Sequence, residues 1–144
     1  MDLVHRIAPH AALHYNNPVK SRREIIAAQD KYGVMSYAID NQGELEQLAD
    51  IVSPSKDVEI TIRFKAGKAR KAYDFGTKFG ISENGAIDLV KAADSLGYTV
   101  SLCFHVGSQC EESYAYERHI HAAGRIAKKS GVAIRRLNVG GGFP

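Results

Sequence analysis

The sequence predicts an α/β protein of alternating parallel β/α units, and three observations lead there. Short apolar runs rich in β-branched residues alternate strictly with longer stretches of helical periodicity. Most helical stretches open on Ser, Asp or Asn and close on Gly or Ser-Pro. Polar residues and glycines gather where the apolar runs end, which is where parallel α/β proteins place their sites.

The elements follow in order. Residues 12–15 (ALHY) form a first short strand, broken by Asn16-Asn17-Pro18. Ser21 caps a helix reaching Tyr32, with Glu24 as its capping-box partner and Gly33 as its stop. Val34 to Ile39 is the second strand, and Asp40 or Asn41 caps a helix over Gly43 to Val52. Val58 to Phe64 is the third strand, followed by a long basic loop. Ser82 opens a helix over Glu83 to Leu96, closed by Gly97. Val100 to Val106 is a nearly all-apolar fourth strand, as expected of one covered on both faces. The loop Gly107 to Glu112 leads into a helix over Ser113 to Lys129, ended by Gly131. Ile134 to Val139 is the fifth strand, and Gly140-Gly141-Gly142 follow at once.

Five strands and four helices in strict alternation fit either an open doubly wound sheet or part of a barrel. The chain ends on Phe143-Pro144 directly after the glycine loop, with no helix to cover the last strand. A complete doubly wound domain would normally supply that helix, so residues 1–144 are expected to be cut from a larger domain.

Composition bounds the function. The 144 residues are 44% hydrophobic and 24% charged, enough apolar material for one ordinary core. A net charge of +3 suggests some preference for anions and not a nucleic-acid footprint. The densest basic run, Lys65 to Lys71 (KAGKARK), lacks aromatic interleaving and reads as a solvated loop or a dimer rim. The 2 cysteines, Cys103 in an apolar run and Cys110 near a strand end, do not make a disulfide framework. Asp2, His5 and Arg6 come too early for a signal peptide, and no run of about 18 apolar residues occurs, so no membrane partner and a cytoplasmic location are expected.

Residues able to carry chemistry sit at predicted strand ends: Asn16, Asn17, Asp40, Arg63, His105, Ser108, Gln109 and the glycine triplet. Three glycines after a strand can turn tightly and present N–H groups to an anion, or can simply supply a tight turn. Their spacing is neither the dinucleotide fingerprint nor a Walker motif. His105 can stack on a planar ligand or shuttle a proton, or be a satisfied rim histidine. The Ser108 hydroxyl can bind phosphate with the triplet or cap a helix. Arg63 lies opposite Ile62 and Phe64 by alternation, so it either binds an anion or snorkels to the rim. Asp40 either caps the next helix or faces a ligand. His119 and His121 are two apart on a helix and make a poor metal pair, so no metal is expected. No G-x-S-x-G elbow organises a hydrolase triad.

Four segments carry a resemblance. LNVGGGFP (137–144) resembles the glycine loop of the fold-type III, group IV amino-acid decarboxylases that use pyridoxal phosphate. FHVGSQ (104–109) is similar to their histidine-glycine-serine strand end. YNNPVKSRREI (15–25) resembles their Asn-Pro-x-Lys segment, and KFGIS (78–82) their Lys-Phe-Gly turn. All four stand in register along nearly the whole chain, and GGGFP with Asn-Pro-x-Lys points to the ornithine or lysine branch.

The resemblance implies a (β/α)8 barrel followed by a β-sandwich domain that this chain lacks. It implies pyridoxal 5'-phosphate as cofactor, with His105 stacked on its ring, Ser108 and Gly140, Gly141 and Gly142 on its phosphate, and Arg63 beneath it in the barrel mouth. For the complete enzyme it implies a homodimer with shared active sites, Lys78 near the subunit boundary, and an amino-acid substrate, with ornithine giving putrescine and CO2. The family's cofactor-anchoring lysine lies on a strand before residue 12, and its Glu-Pro-Gly-Arg segment comes later than residue 144. No catalytic residue is therefore expected in this chain, which alone should be inactive. Two other readings fit the residues: an adapter that associates with a decarboxylase subunit by dimer mimicry, and an unrelated phosphate-binding α/β domain. Val19 stands where relatives often carry cysteine.

Overall fold

Four parallel strands in sequence order, β1 to β4, are the frame of the computed structural model, which describes residues 1–66, 79–108, 110 and 112–143. The elements are α1 (Asp2–Ile7), α2 (Arg22–Tyr32), β1 (Ser36–Ile39), α3 (Gln42–Ala49), β2 (Glu59–Arg63), α4 (Glu83–Ser95), β3 (Thr99–Cys103), α5 (Ser113–Ser130) and β4 (Ile134–Asn138). A doubly wound sheet reverses its strand order at a switch point. The order β1-β2-β3-β4 has no reversal and is the progression of an open barrel wall.

Two expectations need correction. The predicted first strand is reduced to one bridge: Tyr15 N–H donates to Ser36 O at 2.8 Å, and Ala38 N–H donates to Tyr15 O at 2.8 Å. Asn16-Asn17-Pro18 leaves too few residues for a longer ladder, so four strands stand where five were expected. The segment before it forms α1, whose exposed Leu3, Val4 and Ile7 give no buried stripe from which periodicity would reveal a helix.

The capping chemistry explains the helix starts. Glu24 N–H donates to Ser21 Oγ (3.3 Å) while Ser21 N–H donates to Glu24 Oε2 (2.8 Å), and Gly33 ends α2 in the left-handed region at φ 60°. Asn41, not Asp40, caps α3, accepting from Glu44 N–H at 3.0 Å. Ser82 caps α4 through Gly85 N–H at 3.3 Å.

Strand alternation divides the sheet into two faces. Tyr37, Ile39, Ile60, Ile62, Val100 and Leu102 join the helix residues Ile25, Leu45, Leu48, Val90 and Ile126 in one core. The opposite face is polar: Ser36, Glu59, Thr61, Arg63 and Ser101 stand on it beside Ala38 and Cys103. β4 obeys the same rule only through a bulge. Ile134 pairs with Val100 and Leu137 with Leu102, so three β4 steps match two of β3 and both apolar residues reach the helix side.

Two ion pairs lock this frame. Lys20, its side chain fully buried, donates from Nζ to the carbonyls of Asn17 (3.2 Å), Pro18 (2.9 Å) and Ala38 (2.7 Å) and pairs with Glu44 at 3.0 Å. Burial pushes its pKa down, against the pull of Glu44. Surrounded by these acceptors it ties the Asn-Pro turn to β1 and α3.

On the polar face Arg136 of β4 reaches across β3 to the buried Glu59 of β2, its Nε donating to Oε1 at 2.7 Å and its Nη2 donating to Oε2. Burial works to raise the Glu59 carboxyl, and Arg136, Ser101 and Arg135 together outweigh it, so the group titrates below its ordinary 4.5. A carboxylate held low in the folded state stabilises fully above its unfolded pKa and loses that contribution as pH falls through the folded value. Glu59→Gln should therefore cost about 2 kcal/mol at pH 7, and less than wild type is lost on acidification below the ordinary 4.5. Urea unfolding from pH 3 to 7 checks this; parallel pH profiles for the two proteins would contradict it.

Candidate functional site

The loops after β3 and β4 meet because those strands are parallel neighbours, with Cys103 opposite Asn138. Phe104 N–H donates to Asn138 O at 3.1 Å and carries the ladder one residue past the strand. Beyond it the glycine loop lies directly on the backbone of residues 104–107. A methyl group on Gly140 (φ 72°) would stand 2.5 Å from the Phe104 carbonyl oxygen and 3.2 Å from His105 Cα, and on Gly142 (φ 98°) it would collide with the Gly107 carbonyl oxygen. Both positions thus need glycine twice over, for backbone angle and for space.

The loop is tied at several points. Gly140 N–H donates to Asn138 Oδ1 (2.9 Å), and Cys110 N–H donates to Gly142 O (2.7 Å). Tyr116, in the first turn of α5, donates its hydroxyl to Gly141 O at 3.2 Å, and its ring stacks on Phe143 with centroids 5.0 Å apart and planes at 7°. Burial raises the Tyr116 pKa, which keeps the hydroxyl a donor. The N–H groups of Gly141 and Gly142 have no hydrogen-bond partner among the described residues.

His105 is exposed beside this loop. Its Nδ1 accepts from Gly107 N–H at 3.0 Å, so the neutral ring carries its hydrogen on Nε2. That nitrogen stands 4.0 Å from a methyl group built on Gly141. Beneath it, Phe104 stacks on the buried His119, with centroids 4.8 Å apart, and holds the strand end against α5.

The predicted residues divide accordingly. The structure brings His105 and Gly140, Gly141 and Gly142 together, with Ser108 exposed directly after Gly107. Arg63 ends β2, one strand further away, and its guanidinium lies 5.3 Å from the centre of the Phe79 ring. Asp40 neither caps α3 nor stands apart: it accepts Gly80 N–H at 2.8 Å and holds the turn before α4. Cys103 is buried, and its thiol is pushed up to about 12 by that burial. Gln109, Lys78 and residues 67–71 of the basic run lie outside the described residues. The sequence reading missed Tyr116 and Phe143; their one signal was an aromatic residue in the first turn after the site loop and another directly behind the glycines.

The donor set fits a phosphate. Glycine N–H groups on a loop without side chains can approach an anion closely, and an adjacent exposed imidazole can cover a ring attached to it.

A singly wound β/α wall with such a loop pair defines a fold-type III, alanine-racemase-like barrel domain, incomplete in this chain. At the level of fold alone, alanine racemase from Acinetobacter baumannii matches 92% of the chain and 37% of its own, with TM-score 0.69 at 15% identity. The chain belongs to the pyridoxal-dependent decarboxylases, whose pyridoxal binding domain matches residues 2–144. It is 37% identical to the lysine/ornithine decarboxylase of Selenomonas ruminantium over 149 aligned positions, covering 100% of this chain and 37% of that protein. A mutant of SrLDC, solved in complex with PLP, superposes with TM-score 0.84 at 33% identity over 99% of this chain and 38% of its own. The chain thus spans little more than a third of these relatives. No helix among the described residues is long and apolar enough to cross a membrane.

The glycine geometry yields a contrast. Gly142→Ala should destabilise the chain by about 2 kcal/mol or more, because the left-handed backbone and the Gly107 carbonyl both oppose a side chain. Gly141→Ala, whose methyl meets nothing nearer than 4.0 Å, should change stability little. Urea unfolding of the two variants distinguishes them; equal losses would show that the loop does not pack as described.

Proposed function

We propose that this chain forms the phosphate- and ring-holding part of a pyridoxal-phosphate-dependent decarboxylase acting on a basic amino acid, with lysine or ornithine as the favoured substrates. The packing of the glycine loop against His105 and Gly107 carries this reading. It puts a set of backbone donors beside an exposed imidazole, at the strand ends where such barrels hold ligands.

In this reading the Gly141 and Gly142 N–H groups and the Ser108 hydroxyl donate to the phosphate, and the His105 ring covers the pyridine. Arg63, with its guanidinium set by Phe79, adds positive charge at the mouth. The cofactor, when bound, supplies the electron sink for loss of CO2. The residues of this chain bind and orient it. In the complete enzyme two copies share their active sites. The names of the relatives, lysine/ornithine decarboxylase above all, support the substrate class.

The anion site is testable in this chain alone. Each charge-assisted contact contributes about 1.5–3 kcal/mol, so a cradle of a few donors should bind inorganic phosphate with a dissociation constant on the order of millimolar. Titration followed by amide resonances should give saturable shifts at Gly140, Gly141 and Gly142, weakened about tenfold by Ser108→Ala. Shifts confined to residues 65–71 would mean surface charge binding and would contradict the assignment.

A further inference from the structure

The anion reading requires that flexible glycines hold their N–H groups in one direction, and the loop's own sequence cannot do this. Gly142 sits at φ 98°, where no Cβ restrains rotation of the peptides on either side. In a trans peptide the carbonyl of one residue and the N–H of the next point opposite ways. Fixing the Gly141 carbonyl therefore fixes the direction of the Gly142 N–H. The described atom that holds this carbonyl is the Tyr116 hydroxyl, at 3.2 Å. The following peptide is fixed in the same manner by Cys110 N–H on the Gly142 carbonyl, at 2.7 Å.

Tyr116 is itself held. Its ring lies between Phe143, parallel at 5.0 Å, and Phe104, edge-on at 6.4 Å, and Phe104 stacks in turn on the buried His119. The hydroxyl is thus anchored to α5 and the core. The aromatic pair grips the loop on both sides of Gly142, through the carbonyl before it and the ring after it.

We propose that Tyr116 is a positioning residue that fixes the Gly141–Gly142 peptide and so aims the Gly142 N–H at the phosphate. The idea rests on the anion reading above. It adds a residue on the helix face outside the glycine and histidine motifs, acting through the loop and not by touching the ligand.

The test uses the whole chain and inorganic phosphate. Tyr116→Phe removes one oxygen and keeps both ring contacts. Loss of one hydrogen bond should weaken phosphate about fivefold, and the Gly142 amide resonance should move or broaden in the ligand-free protein while the urea midpoint stays close to wild type. Phe143→Ala keeps the hydroxyl and should weaken phosphate less. An unmoved Gly142 amide in Tyr116→Phe overturns the proposal, as does unchanged phosphate affinity. A larger loss in Phe143→Ala also overturns it, since ring packing and not the hydroxyl would then set the loop. Wild-type glycine amides that ignore phosphate would overturn the anion reading. The ligand-free Gly142 amide would still decide whether Tyr116 fixes the peptide.

Discussion

Two backbones in contact, with no side chain between them, are the constraint on which the rest of this structure depends. The loop after β4 rests on residues 104–107 closely enough that a methyl group at Gly140 or Gly142 has no place to go. Such contact exposes peptide N–H groups that bulky residues would bury, and it brings His105 against the same loop. It also demands that β3 and β4 end at one level. The register Cys103 to Asn138 and the bond from Phe104 N–H to Asn138 O meet that demand, and the β4 bulge lets the strand do so while keeping Ile134 and Leu137 in the core.

β4 is the edge of the described sheet and is only partly buried, so its position needs support beyond one ladder. The Arg136 fork on Glu59 supplies it from the polar face, linking β4 to β2 across β3. α5 supplies it from the other side, through Phe104 and His119 and then Tyr116 and the glycine loop. The site is thus set by a strand pairing, an ion pair at the far end of the strands and an aromatic chain above. The basic residues of the mouth are arranged otherwise. Lys20 is consumed by three carbonyls and Glu44, and Arg63 is stacked on Phe79. Lys20 is therefore spent on the frame, while Arg63 keeps its charge and is held in place by the ring.

Much of this was legible in the residues. The alternation of apolar runs and capped helices fixed the parallel class, and the capping box at Ser21 and the stops at Gly33 and Gly131 stand where their chemistry put them. The glycine triplet and the HVGS segment were recognisable, and their meeting followed from neighbouring strands. What escaped depended on contacts between distant residues. Tyr15 has the look of a strand residue but pairs only once, because the Asn-Asn-Pro turn follows directly. Lys20 follows a proline in a polar stretch, and nothing local announces its burial. Asp40 suited a cap, yet its carboxylate goes to Gly80 N–H, forty residues on. The hydroxyl of Tyr116 meets a carbonyl twenty-five residues away, which helical periodicity cannot signal.

The central claim is that the β3 and β4 loops of this chain form one cradle for the phosphate of pyridoxal phosphate, with His105 against its ring. A crystal structure of the chain soaked with pyridoxal phosphate tests it most directly. The account predicts phosphate density between Ser108 and the N–H groups of Gly141 and Gly142, with the pyridine ring facing the His105 imidazole. Density for the cofactor on the 65–71 run, with the glycine loop empty, would contradict it.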